Sequence, residues 1–318
     1  MRGVFLDSAT VDRHDLDLGA LKSSLPDWSI RSATAINEVG EAIQNADIVI
    51  SNKVPLNRET IQQADSLKLI CVAATGTNNV DLAAAAEQKI TICNARGYAT
   101  TSVVEHVFTL ILALTRHLHE YRAAVSKGKW QTTESFCLLD YPIRELSGQT
   151  LGIIGYGELG RAVAAMGRSF GMNILVAQRP GGAAQAGRLP LEQLLSQADI
   201  ISLHCPLTDN TRNLIDHRKF ALMGKDTLLI NTARGGIVNE IALRQALQSG
   251  HIAGAAIDVL SEEPPRLGNP LLDDPLPNLI VTPHIAWASI TARQSLINEL
   301  TENIHAFLEG RPRNVVHA

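Results

Sequence analysis

Aromatic side chains are few, with 3 Trp, 4 Tyr and 6 Phe in 318 residues. A groove that stacks unpaired bases needs a platform of rings, so single-stranded nucleic acid is disfavoured as a ligand and any site should rely on backbone amides and charges. Basic charge is also lacking. Lysine and arginine number 28 against 32 aspartates and glutamates, a net charge of −4, which leaves no excess to neutralise phosphates on nucleic acid or an anionic membrane. Cysteine is scarce: Cys71, Cys93, Cys137 and Cys205 show no C-x-x-C spacing. They read as reduced core or pocket residues of a cytoplasmic protein with no metal site. Long apolar runs are missing too. The most apolar stretch, Val103–Leu114, contains Glu105 and His106, and the N-terminus reaches Asp7 too soon for a signal-peptide apolar region.

What is present is a composition of 45% apolar and 19% charged residues, enough to bury a substantial core. At about 150 residues per domain the length suggests two domains. Short β-branched runs alternate with helical stretches, the pattern of a parallel sheet covered on both faces. In the first third, strands are expected at Val4–Leu6, Asp47–Ser51, Leu69–Ala73 and Ile90–Cys93. Helix-like segments lie between them, around Asp15–Leu21, Val39–Ala46, Arg58–Ala64 and Asp81–Glu87. The spacing of Val103, Val107, Leu110, Leu114 and Leu118 predicts one long helix over Ser102–Val125. A second series of strands follows at Thr150–Ile154, Asn173–Ala177, Asp199–Leu203, Thr227–Asn231, Ala255–Asp258 and Leu279–Thr282. Its order of strand, glycine turn and helix is doubly wound. An amphipathic helix, Ile290–Leu308, closes the chain before Gly310 and Pro312.

The first strand of the second series runs into Gly155-Tyr156-Gly157-Glu158-Leu159-Gly160, a G-x-G-x-x-G that opens a helix. Such a turn lets backbone approach a pyrophosphate while the helix N-terminus supplies N–H groups and a favourable dipole; an ordinary strand-to-helix turn is the alternative. An NAD site calls for an Asp or Glu at the end of the next strand, to bond the ribose 2′-hydroxyl. Here that strand ends in Gln178-Arg179-Pro180, and no acidic residue occurs between Leu159 and Leu191. Arg179 stands where it can pair with a 2′-phosphate, so NADP(H), or dual use with NAD(H), is expected. A solvated Arg beside a Gln that accepts either cofactor is the competing reading.

Three further segments place polar groups just past predicted strands: Asn231-Thr232-Ala233-Arg234-Gly235-Gly236, Asp258-Val259-Leu260-Ser261-Glu262-Glu263-Pro264 and Thr282-Pro283-His284-Ile285-Ala286-Trp287. In an open parallel sheet ligands collect outside the carboxyl ends of strands, so all three point to one crevice. A guanidinium can hold a substrate carboxylate and polarise the adjacent carbonyl. A histidine can protonate the forming alkoxide, and a nearby carboxylate favours the protonated ring and fixes its tautomer. Singly, Arg234 reads equally as a surface or cap residue, His284 as a core histidine and Glu263 as a loop acid; it is their joint occurrence with a dinucleotide turn that points to hydride transfer.

These segments resemble the D-isomer-specific 2-hydroxyacid dehydrogenase family along essentially the whole chain. The resemblance implies a catalytic set of Arg234, Glu263 and His284. It also implies that Asp258, with Thr232 and Ala233, faces the nicotinamide end, and that His204, Cys205 and Pro206 lie beside the cofactor. Within the family the chain is similar to glycerate dehydrogenases, also called hydroxypyruvate reductases. That likeness rests on Asn52-Lys53-Val54-Pro55-Leu56, on Ala73-Ala74-Thr75-Gly76-Thr77-Asn78-Asn79-Val80-Asp81, on Phe136-Cys137 followed by Pro142, and on Pro283-His284-Ile285-Ala286-Trp287-Ala288-Ser289. By the same resemblance, Thr75 and Gly76 offer amides to the substrate carboxylate and Lys53 adds charge. The implied fold is α/β with two doubly wound parallel-sheet domains: a Rossmann cofactor domain, 100–285, inserted into a flavodoxin-like substrate domain made of 1–99 and 286–318. The implied reaction is reduction of hydroxypyruvate, with glyoxylate as a second substrate, in a homodimer for which Ser102–Val125 and the Trp130–Tyr141 arm are contact candidates. The alternatives are another 2-oxo acid, or an NAD(H)-responsive binding protein of the same fold.

Overall fold

The computed structural model describes residues 1–179, 181–183 and 185–317; Pro180, which closes the Gln178-Arg179-Pro180 strand end, Ala184 and the terminal Ala318 lie outside the described residues. The chain divides into two compact units, Met1–Ala99 with Trp287–Ala318, and Thr100–Ala286.

The first unit holds five parallel strands, β1 (Arg2–Phe5), β2 (Asp27–Ile30), β3 (Ile48–Ser51), β4 (Leu69–Val72) and β5 (Thr91–Cys93), in the order β2-β1-β3-β4-β5. Alternate side chains of each strand leave opposite faces of the pleat, so the unit has two cores. Val4, Val49, Ile70 and Ile92 pack on one face. Phe5, Ile48, Ile50, Leu69 and Cys71 pack on the other, against Leu296, Ile297, Leu300 and Ile304 of the C-terminal helix, Ile290–Leu308. Burial on both faces is why β3 and β4 read as unbroken apolar runs. Helices α1 (Gly19–Ser23), α2 (Val39–Ile43), α3 (Arg58–Gln62) and α4 (Leu82–Glu87) link the strands. Asn57 caps α3 and Asp81 caps α4, each accepting a backbone N–H from the first turn. Strand β2 is unforeseen by hydrophobic pattern; it is a short edge strand that pairs in register with β1, Arg2 opposite Asp27 and Phe5 opposite Ile30.

The second unit begins with α5 (Thr100–Thr115) and α6 (Leu118–Ser126). The sequence predicts one continuous helix here, and the structure breaks it at His117, whose φ is +50°. The apolar stripe ends with Leu114, and Leu118 is exposed. The corner is held by the 141–144 segment: the Arg144 amide donates to the Thr115 carbonyl and the His117 ring stacks on Tyr141. Six parallel strands follow, β6 (Thr150–Ile154), β7 (Asn173–Val176), β8 (Ile200–Leu203), β9 (Leu228–Asn231), β10 (Gly254–Ile257) and β11 (Leu279–Val281), with α7 (Glu158–Ser169), α8 (Leu191–Gln197), α9 (His217–Phe220) and α10 (Glu240–Gln248) between them. Their order is β11-β10-β9-β8-β6-β7. From β6 the chain first moves outward to β7 and then returns to β8 on the other side, so the winding reverses at β6 and a crevice is expected at the carboxyl ends beside it. Among the described residues, no helix is long and apolar enough to cross a membrane.

Candidate active site

The three glycines of the turn after β6 do different jobs. Gly155 has φ +96°, and a Cβ there would lie 2.5 Å from the His204 carbonyl and the Cys205 amide. A Cβ on Gly160, in the first turn of α7, would stand 2.0 Å from the Gly155 oxygen. Gly160 therefore excludes a side chain so that α7 can seat on the end of β6, and Gly155 so that the turn can lie against the segment after β8. Gly157, the N-cap of α7, is the opposite case: a Cβ there would meet nothing within 4 Å. Open space beside a helix N-terminus fits a pyrophosphate, which the unpaired first-turn amides and the helix dipole would hold.

Around the turn, Glu158 accepts a hydrogen bond from the Thr100 hydroxyl and Leu159 is partly buried. The Arg161 guanidinium donates to the Tyr156 carbonyl, and the Arg188 guanidinium rests over the Tyr156 ring, 5.8 Å from its centre. Just past β7, Gln178 is half-buried and Arg179 is exposed. Past β8, the His204 amide donates to the Ile154 carbonyl and its Nε2 lies 2.8 Å from the Ser202 hydroxyl. Burial pushes the His204 ring down to about 4, favouring its neutral form, and pushes the neighbouring Cys205 thiol up to about 11, favouring the protonated thiol. Pro206 is exposed and its carbonyl accepts from Thr211. Thr232 is 92% covered, and its hydroxyl has no hydrogen-bond partner among the described residues. A buried donor left open at the end of β9 is a second feature that fits a bound ligand.

Arg234, Glu263 and His284 follow β9, β10 and β11, three adjacent strands, so the topology brings all three to one edge of the sheet. Each is fixed by backbone rather than by chance. The Asn231 side chain donates to the Arg234 carbonyl and accepts from the Ala233 amide, while the half-buried Arg234 guanidinium donates to the Ala233 carbonyl. Gly235 lies so close to Leu260 that a Cβ would reach 1.8 Å from its carbonyl oxygen. This presses the Arg234 turn onto the segment that carries Glu263. Glu263 accepts the Leu260 amide on Oε1 and meets Nδ1 of His284 with Oε2 at 2.6 Å. His284 adopts φ +56°, a left-handed conformation a non-glycine residue needs support to hold.

That support comes from Asp258. Its carbonyl accepts the His284 amide; its carboxylate accepts the Ile285 and Ala286 amides at 2.9 Å and the Thr282 hydroxyl, with His106 Nε2 of α5 at 3.5 Å. Burial alone would raise the Asp258 carboxyl, but the hydrogen bonds from His106, Thr282 and the two amides outweigh it and hold it below the usual carboxylate range. The carboxylate is fully covered, so in this arrangement its hydrogen bonds are spent on the His284 loop. Glu240, the first residue of α10, accepts from the Ser261 amide and hydroxyl and from Asn269, which pins the loop carrying Glu263. Pattern reading missed His106, Glu240 and Thr282 as supports, because their roles exist only through partners distant in sequence.

In the first unit, Lys53 follows β3 and Thr75 and Gly76 follow β4, neighbouring strands. The carboxylate of Asp7, 3% exposed, gathers the amides of Asn52, Lys53 and Val54. Asn94 donates to the Thr75 carbonyl, and the Thr75 hydroxyl donates to Ala95. Asp7 and Asn94 are again supports that no local motif marks.

Residues 108–286 match the family model for the NAD binding domain of D-isomer specific 2-hydroxyacid dehydrogenases. The chain is 46% identical over 310 residues to a glycerate dehydrogenase of Methylorubrum extorquens, covering 97% of this chain and 98% of that protein. It is 36% identical over 324 residues to a hydroxypyruvate reductase of Blautia hydrogenotrophica, covering all of both. Among solved structures it resembles an acyclic imino acid reductase in complex with NADPH and D-Arg, at 27% identity and a TM-score of 0.88, covering 99% of this chain and 100% of that one. A family match over more than half the chain, joined to identity running through nearly all of it, means that this protein belongs to the D-isomer-specific 2-hydroxyacid dehydrogenases, oxidoreductases that act on a CH–OH group with a nicotinamide cofactor.

Proposed function

We propose that this protein reduces hydroxypyruvate to D-glycerate, and glyoxylate to glycolate as a secondary reaction, using NADPH at least as well as NADH. The observation that carries the reading is the hydrogen bond between Nδ1 of His284 and Glu263. It commits Nδ1 to the carboxylate, and we assign Nε2 as the ring atom that gives a proton to the substrate oxygen. Because Glu263 is itself tied to the Leu260 amide, the pair keeps one orientation.

The nicotinamide, when bound, supplies the hydride for C2 of the 2-oxo acid. Arg234 offers a planar fork of donors to the substrate carboxylate and draws electron density from the adjacent C=O. The charge developing on that oxygen strengthens this interaction in the transition state, so Arg234 contributes to turnover as well as binding. His284, protonated beside Glu263, passes the Nε2 proton to the oxygen and is reprotonated from solvent. In the first unit, the Thr75 and Gly76 amides and Lys53 are the groups we assign to the carboxylate.

For the cofactor, the Gly155–Gly160 turn takes the pyrophosphate. We assign His204, Cys205 and Pro206 to the adenosine side and the open hydroxyl of Thr232, with Ala233, to the nicotinamide side. Gln178 cannot repel a 2′-phosphate as a carboxylate would, and Arg179 can pair with one. Solved relatives include one in complex with NADPH and one complexed with NAD, which supports a nicotinamide cofactor of either kind.

A panel of hydroxypyruvate, glyoxylate, pyruvate and a bulkier 2-oxo acid, each with NADPH and NADH, tests the reading. The expected result is the highest kcat/KM for hydroxypyruvate, with NADPH equal to or above NADH. Absence of turnover with every 2-oxo acid, or preference for the bulky one, overturns it.

A further inference from the structure

We infer that Arg188, parked on the Tyr156 ring, is a second cation for the 2′-phosphate of NADP(H), acting beside Arg179; this rests on the reading above that the protein uses NADPH. Strand β7 is the edge of its sheet, next to β6. After β7 the chain turns back and lies along its end: the Gln178 amide donates to the Leu189 carbonyl, the Leu189 amide to Val176, and Ala177 bridges Leu189. The backbone of residue 188 therefore flanks the end of β7, while its guanidinium reaches Tyr156, in the turn after β6. The side chain thus links the end of β7 to the glycine turn. That is the region where the adenosine ribose is expected, since the residue that reads its 2′ position in this fold sits at the end of the second strand.

The electrostatics agree. No described carboxylate lies within ion-pair distance of Arg188, and the stretch from Leu159 to Leu191 carries no acidic residue. A guanidinium held over a ring by cation–π attraction, here 5.8 Å from the ring centre, keeps its N–H donors for bidentate pairing with a phosphate oxygen pair. The Tyr156 ring holds the half-buried guanidinium in place before the anion arrives, lowering the ordering cost on binding. Arg161 is a weaker candidate, because one of its nitrogens already donates to the Tyr156 carbonyl. Arg188 thereby adds a second guanidinium to Arg179 from a different segment of chain. Two guanidiniums on one dianion make the preference for the phosphorylated cofactor larger than Arg179 alone provides.

The test compares the wild type with Arg188→Met, which keeps an unbranched apolar stem over the ring, and with Arg188→Lys. Two readouts are taken: the ratio of kcat/KM for NADPH to that for NADH, and calorimetric binding of adenosine 2′,5′-bisphosphate against adenosine 5′-monophosphate. The expected result is a fall of about ten-fold in both preferences for Arg188→Met, the order of one charged hydrogen-bond pair, with partial retention in Arg188→Lys. Preferences unchanged in Arg188→Met, in a wild type that does use NADPH, overturn the inference and leave the NADPH reading standing. A wild type that neither turns over NADPH nor binds the bisphosphate better than the monophosphate removes that reading, and this inference with it.

Discussion

At the scale of single residues, the proposed chemistry rests on His284, whose Nδ1 is held by Glu263. His284→Ala should lower kcat by at least ~10²-fold, the typical cost of a lost general acid. Glu263→Gln retains an oxygen that can accept the Nδ1 proton but removes the carboxylate charge facing the ring, so a smaller loss, at least ~10-fold in kcat, is expected. Steady-state kinetics with hydroxypyruvate and either cofactor check both, and turnover near the wild-type level in His284→Ala would take the proton-donor role away from it. The placement of Arg234, Glu263 and His284 past strand ends was legible because each follows an apolar run and stands beside turn-forming residues. The contacts of Asp258 were not legible. Family resemblance assigns that carboxylate to the nicotinamide end; the structure adds that it is covered and holds the Ile285 and Ala286 amides.

Among the elements, the glycine turn gives the sharpest contrast, since two of its glycines exclude a side chain for packing and one borders open space. Gly160→Ala forces a Cβ against the Gly155 carbonyl and should destabilise the fold by about 1–3 kcal/mol, the range for overpacking. Gly157→Ala meets no atom within 4 Å and should leave the melting temperature near the wild-type value while weakening the dinucleotide. Thermal unfolding with and without cofactor separates the two; equal melting temperatures for the pair would contradict the packing argument. Most strands of both sheets were foreseen, because a parallel strand buried on two faces is a short apolar run wherever it occurs. The misses have physical causes. Strand β2, Asp27-Trp28-Ser29-Ile30, lies at a sheet edge and carries no buried run. The single helix expected over Ser102–Val125 breaks at His117 because the 141–144 segment, far along the chain, secures the corner.

For the molecule as a whole, we propose that the C-terminal end of the 102–125 segment and the Trp130–Tyr141 arm of the cofactor-binding unit join two copies of the chain. Phe136 is 91% exposed and Leu139 81%, with Trp130 and Leu118 also uncovered. Apolar side chains clustered on one such stretch mark an interaction surface. Sedimentation should give a dimer for the wild type and a monomer for Phe136→Glu with Leu139→Glu, and a monomeric wild type would exclude the assignment. Sequence alone determined that this is a parallel α/β chain with a dinucleotide turn and an Arg, Glu and His at strand ends. Those features reside in backbone conformation and burial period, which neighbours a few residues away dictate. Tertiary structure decided how these groups are held. Asp258 cradles the His284 loop, Glu240 pins the loop of Glu263, and Asp7 gathers the amides around Lys53. Each of these is a carboxylate collecting backbone donors from another segment. Which donors it meets depends on how strands far apart in the chain end side by side, and no local pattern records that.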